Sequence, residues 1–304
     1  MARTATLPEI ERDAPIPTYF KVGGRADRMA HPTSIEELQA CLNAEPDLRV
    51  LGDGANLLVD DAGVSELVVK LDHPAFRNVE INESTGIVTA GGGADLAKLI
   101  HACVRTGLTG IEGLIGVPAS LGGAAFMNAG GAYGQMADVV KSVTALNKQG
   151  EIVHISRENI AYAYRTSGLF DLIITEVELQ LTPGDPEAAR NRLKEIMDQK
   201  ARTQPLAAKT CGCVFRNPVL RHDLEGIGQA HQRVGAGLLI DRAGGKGVSC
   251  GPCVVSARHA NFIETSPGAS ASDILCLIEK VQKLVHDRFD VQLETEVVVW
   301  RRSS

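Results

Sequence analysis

The stretch Gly113–Gly134, GLIGVPASLGGAAFMNAGGAYG, limits what this chain can fold into more than any other. No charged residue occurs between Glu112 and Asp138. An uncharged run of about 20 residues is long enough to span a bilayer. Seven glycines, Pro118 and Asn128 oppose that reading, because they interrupt helix propensity and large aliphatic side chains are sparse. The stretch predicts an irregular backbone wall instead. Glycine permits φ > 0 and lets a ligand reach backbone N–H groups. Consecutive amides in such loops form anion-binding concavities suited to a diphosphate. Two other phosphate motifs are excluded. Gly52-Asp53-Gly54 and Gly91-Gly92-Gly93 both lack the third glycine of G-x-G-x-x-G, and Gly245-Lys246 has Gly247 after it and Ile240 where a P-loop needs glycine.

With 304 residues, the chain can hold two or three domains with sizeable cores. Apolar content of 44% and charged content of 22% are those of a soluble globular protein, with no membrane segment. A net charge of −6 and only 4% aromatic residues argue against a nucleic-acid binder. A local basic pocket for a phosphorylated small molecule is compatible with both. The first twenty residues are polar and lack an apolar h-region, which predicts no signal peptide. Seven scattered cysteines then read as reduced thiols of a cytoplasmic protein. No feature predicts an obligate protein partner.

Thr18–Gly24 reads as a short strand. Ser34 and Glu37 have capping-box spacing ahead of a helix through Ile35, Leu38 and Leu42. Strands are expected at 49–51, 57–59 and 67–71, and hairpins at 79–90 and 143–155. A helix is expected over 95–106, with Gly107 as its stop. Residues 173–181 alternate as a half-buried strand. A polar helix from 184 to about 201 carries dense charge and predicts a solvated face. Beyond Gln204-Pro205 come a loop at 210–218, a helix at 237–243, strands near 253–255 and 261–263, a helix at 272–289 and a closing strand at 293–300. Ile274, Ile278, Val281 and Val285 line that last helix's core face.

G-V-P-A-S-L-G-G-A-x-x-M-N-A-G-x-A-Y-G resembles the flavin-binding segment of the UDP-N-acetylenolpyruvoylglucosamine reductase (MurB) family, in its shorter type II form. The likeness recurs in register along nearly the whole chain. L-G-D-G-A-N-L-L-V resembles the family's first flavin-diphosphate loop, with Ala55 where serine is usual. The resemblance implies an α+β fold: a two-part FAD-binding domain of the vanillyl-alcohol-oxidase (PCMH-like) type, residues 1–72 and 73–203, and an α/β substrate-binding domain, 204–304. The strand near 293–300 is expected to pack back toward the FAD domain. FAD would be held by Gly52, Gly54, Ala55, Asn56 and Leu57 of the first loop. The second loop would add Gly116, Pro118, Ala119, Ser120, Gly122, Gly123, Asn128, Ala129 and Gly130.

The same resemblance implies NADPH-driven reduction of UDP-N-acetylglucosamine enolpyruvate to UDP-N-acetylmuramate, a peptidoglycan precursor. Arg165, in A-Y-R-T-S, matches the arginine at the flavin and the substrate carboxylate, with Tyr164 at the substrate. A guanidinium binds a carboxylate bidentately and stays charged. Cys213, in K-T-C-G-C-V-F-R-N-P, stands where the family has a proton-donating serine, and Arg216 stands where lysine is common. A thiol, with a reference pKa of about 8.5, is a better acid than an alcohol and is mostly protonated at pH 7. Glu296, the second glutamate of L-E-T-E-V, matches the catalytic glutamate; Glu294 would be its structural neighbour. Asn217 and Arg242 match positions at the substrate, Arg242 toward the sugar-nucleotide diphosphate. His259 reads as structural.

Other readings stay open. One is a different flavin-linked oxidase on the same scaffold. Another is a metal or redox sensor, because Cys250-Gly-Pro-Cys253 spells a redox tetrapeptide and, with Cys211 and Cys213, could supply four thiolates. A strand-like sequence follows Cys253 where a thioredoxin fold would need a helix, and a metal site would consume the expected proton donor. No metal is therefore expected.

Overall fold

The computed structural model describes residues 6–303. The reading of the extreme amino terminus thus lies partly outside the described residues. The chain divides into two compact units. Unit 1 comprises Met1–Ala14, Ala26–Asp53 and Ser65–Lys200; unit 2 comprises Pro15–Arg25, Gly54–Val64 and Ala201–Ser304.

Unit 1 is built on two sheets. One is antiparallel and five-stranded, in the order Ile152–Ser156, Val140–Leu146, Ile173–Gln180, Ile87–Gly91, Val79–Asn82. The other is four-stranded, in the order Ile10–Pro15, Arg25–Ala30, Val64–Lys70, Arg49–Leu51, with the last pair parallel. Helix α1 (Ile35–Ala44) starts at Ser34, whose hydroxyl accepts from Glu37 N, as the capping-box spacing predicted. Helix α2 (Leu96–Arg105) starts at Asp95, whose carboxylate accepts from Lys98 N at 2.9 Å. Its buried stripe of Leu96, Leu99, Ile100, Cys103 and Val104 joins Val88, Val177 and Leu179 of the large sheet in one core.

Two expectations about unit 1 need correction, and two strands add to them. The glycine-rich stretch is not irregular throughout: Leu121–Phe126 forms a short helix, α3, capped by Ser120. The polar helix α4 (Pro186–Thr203) is not solvated on every charged side chain. Lys200 turns its ammonium inward, to the carbonyls of Gly113 and Ile115. Two strands, Ile10–Pro15 and Arg25–Ala30, were not anticipated because charged residues break their alternation.

Unit 2 packs α5 (Ala236–Arg242) and α6 (Ala271–Phe289) with a three-stranded antiparallel sheet of Ser249–Cys250, Cys253–Val255 and Ile263–Thr265. α6 buries Ile274, Leu277, Ile278, Val281 and Val285, and a reciprocal Ser270–Asp273 capping box closes its start. Asp61 also accepts from the N–H groups of Ala271 and Ser272. The expected strand at Thr18–Gly24 is a loop. Thr18 and Phe20 are buried, so the alternation is real, but Lys21 adopts φ 59° and ends any extended run. The closing strand is confined to Val298–Trp300, which pairs in parallel with Leu57–Val59.

Candidate active site

In unit 1 the glycine-rich wall is stitched by its backbone to residues 91–96. Leu96 N donates to Ala119 O at 3.0 Å, Leu121 N to Ala94 O at 2.8 Å, and Gly122 N to Gly92 O at 2.8 Å. Gly122 is glycine for packing: a Cβ there would lie 2.9 Å from the Gly92 carbonyl. Gly52 of the first loop lies against Ser120, whose Oγ would be 2.8 Å from an added Cβ. Gly116 is exposed with φ 79°, and a Cβ on Gly131 would meet nothing within 4 Å. Among the described residues, the N–H groups of Gly116, Ala119 and Ser120 find no acceptor in the chain. Open glycine edges with undonated amides fit the oxygens of a diphosphate-bearing cofactor.

Asn128 is the pin of this wall. Its side chain is buried, and its backbone adopts φ 46°. Nδ2 donates to Ala163 O at 2.9 Å and to Gln135 Oε1 at 3.1 Å, while Oδ1 accepts from Ala137 N at 3.0 Å. This side chain therefore ties the wall to the turn that carries Tyr164 and Arg165. Arg165 itself adopts φ 59° and donates through Nη1 to the Gly130 carbonyl at 2.7 Å, with its guanidinium over the Tyr164 ring at 5.4 Å. Two neighbouring non-glycine residues in the left-handed region mark a segment whose shape its surroundings enforce. Asp53 of the first loop carries no motif that marks it in the sequence. Burial, then Asp95, pushes its carboxyl up, opposed by Lys70 and Arg77.

In unit 2, residues 214–216 run antiparallel to 294–297. Phe215 faces Thr295 in an isolated bridge, Arg216 N donates to Glu294 O at 2.9 Å, and Glu296 N donates to Val214 O at 2.7 Å. The pairing brings Cys213 and Glu296 to one end of the ribbon. Burial, then the neighbouring Cys213 and more weakly Glu296, pushes the Cys211 thiol well above its ordinary value. Asn261, unremarked in the sequence, clamps the ribbon: Phe215 N donates to its Oδ1 at 2.9 Å, and its Nδ2 donates to Phe215 O at 2.8 Å. Asn56 of the first loop donates through Nδ2 to the Glu296 carbonyl at 3.0 Å, and Val298 N donates to Asn56 O at 3.0 Å. The expected cofactor asparagine thus also fixes the backbone of the expected catalytic glutamate. Gly54, at φ 67°, would set a Cβ 2.0 Å from Pro17 O, so packing alone requires glycine there.

Asn217 turns its Oδ1 to Ala236 N at 2.9 Å, capping α5, and its carbonyl accepts from Arg233 at 2.7 Å. Arg242 is exposed in the last turn of α5. His259 is structural in form: Nδ1 accepts from Asn261 N at 3.2 Å, the ring packs against Phe262, and burial pushes its pKa down.

The expectation that all seven cysteines are thiols is overturned. Cys250 forms a disulfide with Cys276, tying a sheet strand to α6. Cys276 sits on α6 with no motif around it to mark it in the sequence. Cys253, directly across the hairpin from Cys250, is a fully buried thiol that burial, then Asp273, pushes up to about 11. A four-thiolate cluster is thereby removed. Among the described residues no group of three or more His, Cys, Asp or Glu side chains converges as a metal site.

Comparison with known proteins agrees with this architecture. Residues 26–156 match an FAD-binding domain model, and 204–300 match the model for the UDP-N-acetylenolpyruvoylglucosamine reductase C-terminal domain. The UDP-N-acetylenolpyruvoylglucosamine reductase of Nostoc punctiforme is 39% identical over 287 residues, covering 92% of this chain and 82% of the relative. That of Halalkalibacterium halodurans is 35% identical over 286 residues, covering 92% and 90%. The crystal structure of the reductase from Thermus caldophilus superposes with a TM-score of 0.81 at 35% identity, covering 96% of this chain and 99% of that one. The fold is α+β, an FAD-binding domain followed by the reductase family's C-terminal domain. With whole-length relatives at this identity and both domain models in place, the chain belongs to the UDP-N-acetylenolpyruvoylglucosamine reductase family.

Proposed function

We propose that this chain reduces UDP-N-acetylglucosamine enolpyruvate to UDP-N-acetylmuramate, with FAD as cofactor and NADPH as electron donor. It would do so in the cytoplasm, for peptidoglycan synthesis and hence for cell-wall growth, shape and division. Residues 1–72 and 73–203 would form the two parts of the cofactor domain and 204–304 the substrate domain. The observation that carries this is the clamped ribbon that brings a thiol, Cys213, and a carboxylate, Glu296, to one end.

When bound, FAD supplies hydride transfer from NADPH to C3 of the enolpyruvyl group. The residues of Gly52–Leu57 and Gly116–Gly130 named above would hold it, with the undonated N–H groups of Gly116, Ala119 and Ser120 turned to its oxygens. Arg165 pairs with the enolpyruvyl carboxylate and draws electron density from the alkene. Cys213 gives its thiol proton to C2, and the thiolate is reprotonated from solvent. Glu296 orients the donor and stabilises the enol-like charge distribution. Tyr164 lines the substrate, Asn217 holds the neighbouring loop in shape, and Arg242 pairs with the sugar-nucleotide diphosphate.

An anaerobic absorbance titration tests this. Flavin bands that bleach with NADPH and return with UDP-N-acetylglucosamine enolpyruvate are expected. Return only with oxygen would indicate an oxidase on the same scaffold. Protein that takes up no FAD would remove the cofactor assignment.

A further inference from the structure

Lys200 lies in the last turn of α4, within unit 1. Its Nζ donates to Ile115 O at 2.5 Å and to Gly113 O at 3.3 Å. Burial pushes this ammonium's pKa down. Among the described residues it has no carboxylate partner; Glu112, in the same segment, accepts instead from Gly110 N at 2.6 Å. A desolvated cation held only by neutral carbonyls is costly, and it does not persist in a surface helix for solubility alone.

The carbonyls it holds belong to the entry of the glycine wall. The chain has no cis peptide bond among the described residues. In a trans peptide the C=O and the following N–H point in opposite directions. Directing Ile115 O at Lys200 therefore directs Gly116 N–H away from it, on an exposed residue at φ 79° whose amide finds no acceptor in the chain. The lysine stem packs behind: a Cβ on Gly116 would meet Lys200 Cδ at 3.5 Å and Met197 Sδ at 3.6 Å. A cation on the carbonyl polarises the amide, so the N–H on the far side becomes a stronger donor.

We propose that Lys200 is a positioning residue for FAD: through the Ile115–Gly116 peptide it presents an oriented, polarised N–H to an oxygen of the cofactor. This rests on the wall being the cofactor's seat. It assigns to a helix that faces the wall a charge requirement that a packing role would not have.

The test uses full-length holoenzyme. Dissociation of FAD on dilution is followed by flavin fluorescence, and the midpoint potential of the bound flavin is measured, for wild type, Lys200→Arg, Lys200→Gln and Lys200→Met. Thermal melts of each protein control for folding. Lys200→Gln and Lys200→Met are expected to bind FAD roughly 10- to 100-fold more weakly, the range for losing a hydrogen bond to a charged group. Their flavin potentials should fall, and Lys200→Arg should stay within a few-fold of wild type. Gln and Met variants that hold FAD as wild type does would overturn the proposal. So would an Arg variant as weak as Met with a lowered melting temperature, which would indicate packing. Wild type that binds no FAD would overturn the cofactor's seat as well, and is told apart by that control.

Discussion

The glycine wall of unit 1 and the clamped ribbon of unit 2 offer chemistry in opposite ways. The wall presents backbone: undonated amides at Gly116, Ala119 and Ser120, with side chains such as Asn128 turned inward to hold it. The ribbon presents side chains, Cys213 and Glu296, and uses its backbone hydrogen bonds to keep them in register. In the first, identity is decided by space at each α-carbon. In the second, on the proposed function, it is decided by the proton affinity of one or two atoms.

The strongest way to break this contrast is at the thiol. Cys213→Ala should leave flavin reduction by NADPH unchanged and slow anaerobic reoxidation by substrate roughly 10²- to 10⁴-fold in stopped-flow traces. Cys213→Ser should recover most of the rate. Normal turnover by the alanine variant would strip the ribbon of its proposed chemistry.

Next in size is the disulfide, which belongs to unit 2. Cys276→Ser should cost roughly 3.5 kcal/mol in urea unfolding, the value for closing a loop of this separation, 26 residues. Thiol titration of denatured, unreduced protein should count five groups, the seven cysteines less the bonded pair.

A pair of glycine substitutions sharpens the reading of the wall. Gly122→Ala should destabilise by about 1–3 kcal/mol, because its methyl meets the Gly92 carbonyl. Gly131→Ala, facing open space, should stay within about 0.5 kcal/mol of wild type while weakening FAD retention. Equal stability costs at the two sites would mean that the wall is packed scaffold throughout. A modest effect is expected at Asn56→Ala. Loss of the bond to the Glu296 carbonyl should cost about 1 kcal/mol, seen in the same urea titrations, and lower the rate of the substrate half-reaction more than that of the NADPH half-reaction.

Much of this was legible because the signals are local. Asp95 and Ser34 announce helix starts through hydrogen bonds three residues long. The hairpins carry their turns with them, and the α6 stripe repeats every turn. The glycine wall and the Cys213 and Glu296 blocks stand out as motifs within a few residues. What escaped depends on partners far away in sequence. Ile10–Pro15 and Arg25–Ala30 are strands because Val64–Lys70 extends their sheet, despite charges along both. Lys200 looked like one more solvated cation because the carbonyls it holds are 85 and 87 positions away. Neither spacing nor composition pairs Cys250 with Cys276. The segments 15–25 and 54–64 lie in unit 2, where Phe20 and Leu58 enter the core around α5 and α6.

The bond from Asn56 to Glu296 joins positions separated by 240 residues. A ribosome delivers the chain from its amino terminus, and domains fold as they emerge. Asn56 therefore leaves the exit tunnel long before its partner exists, and the loop around it waits while the intervening chain is made. Neither the asparagine's bond nor the parallel pairing of Leu57–Val59 with Val298–Trp300 can form until the later partner has emerged. Closing so long a loop is slow as well as late. The loop at 52–57 thus gains this support only once residue 296 has been made, and a chain halted before it would carry that loop without it.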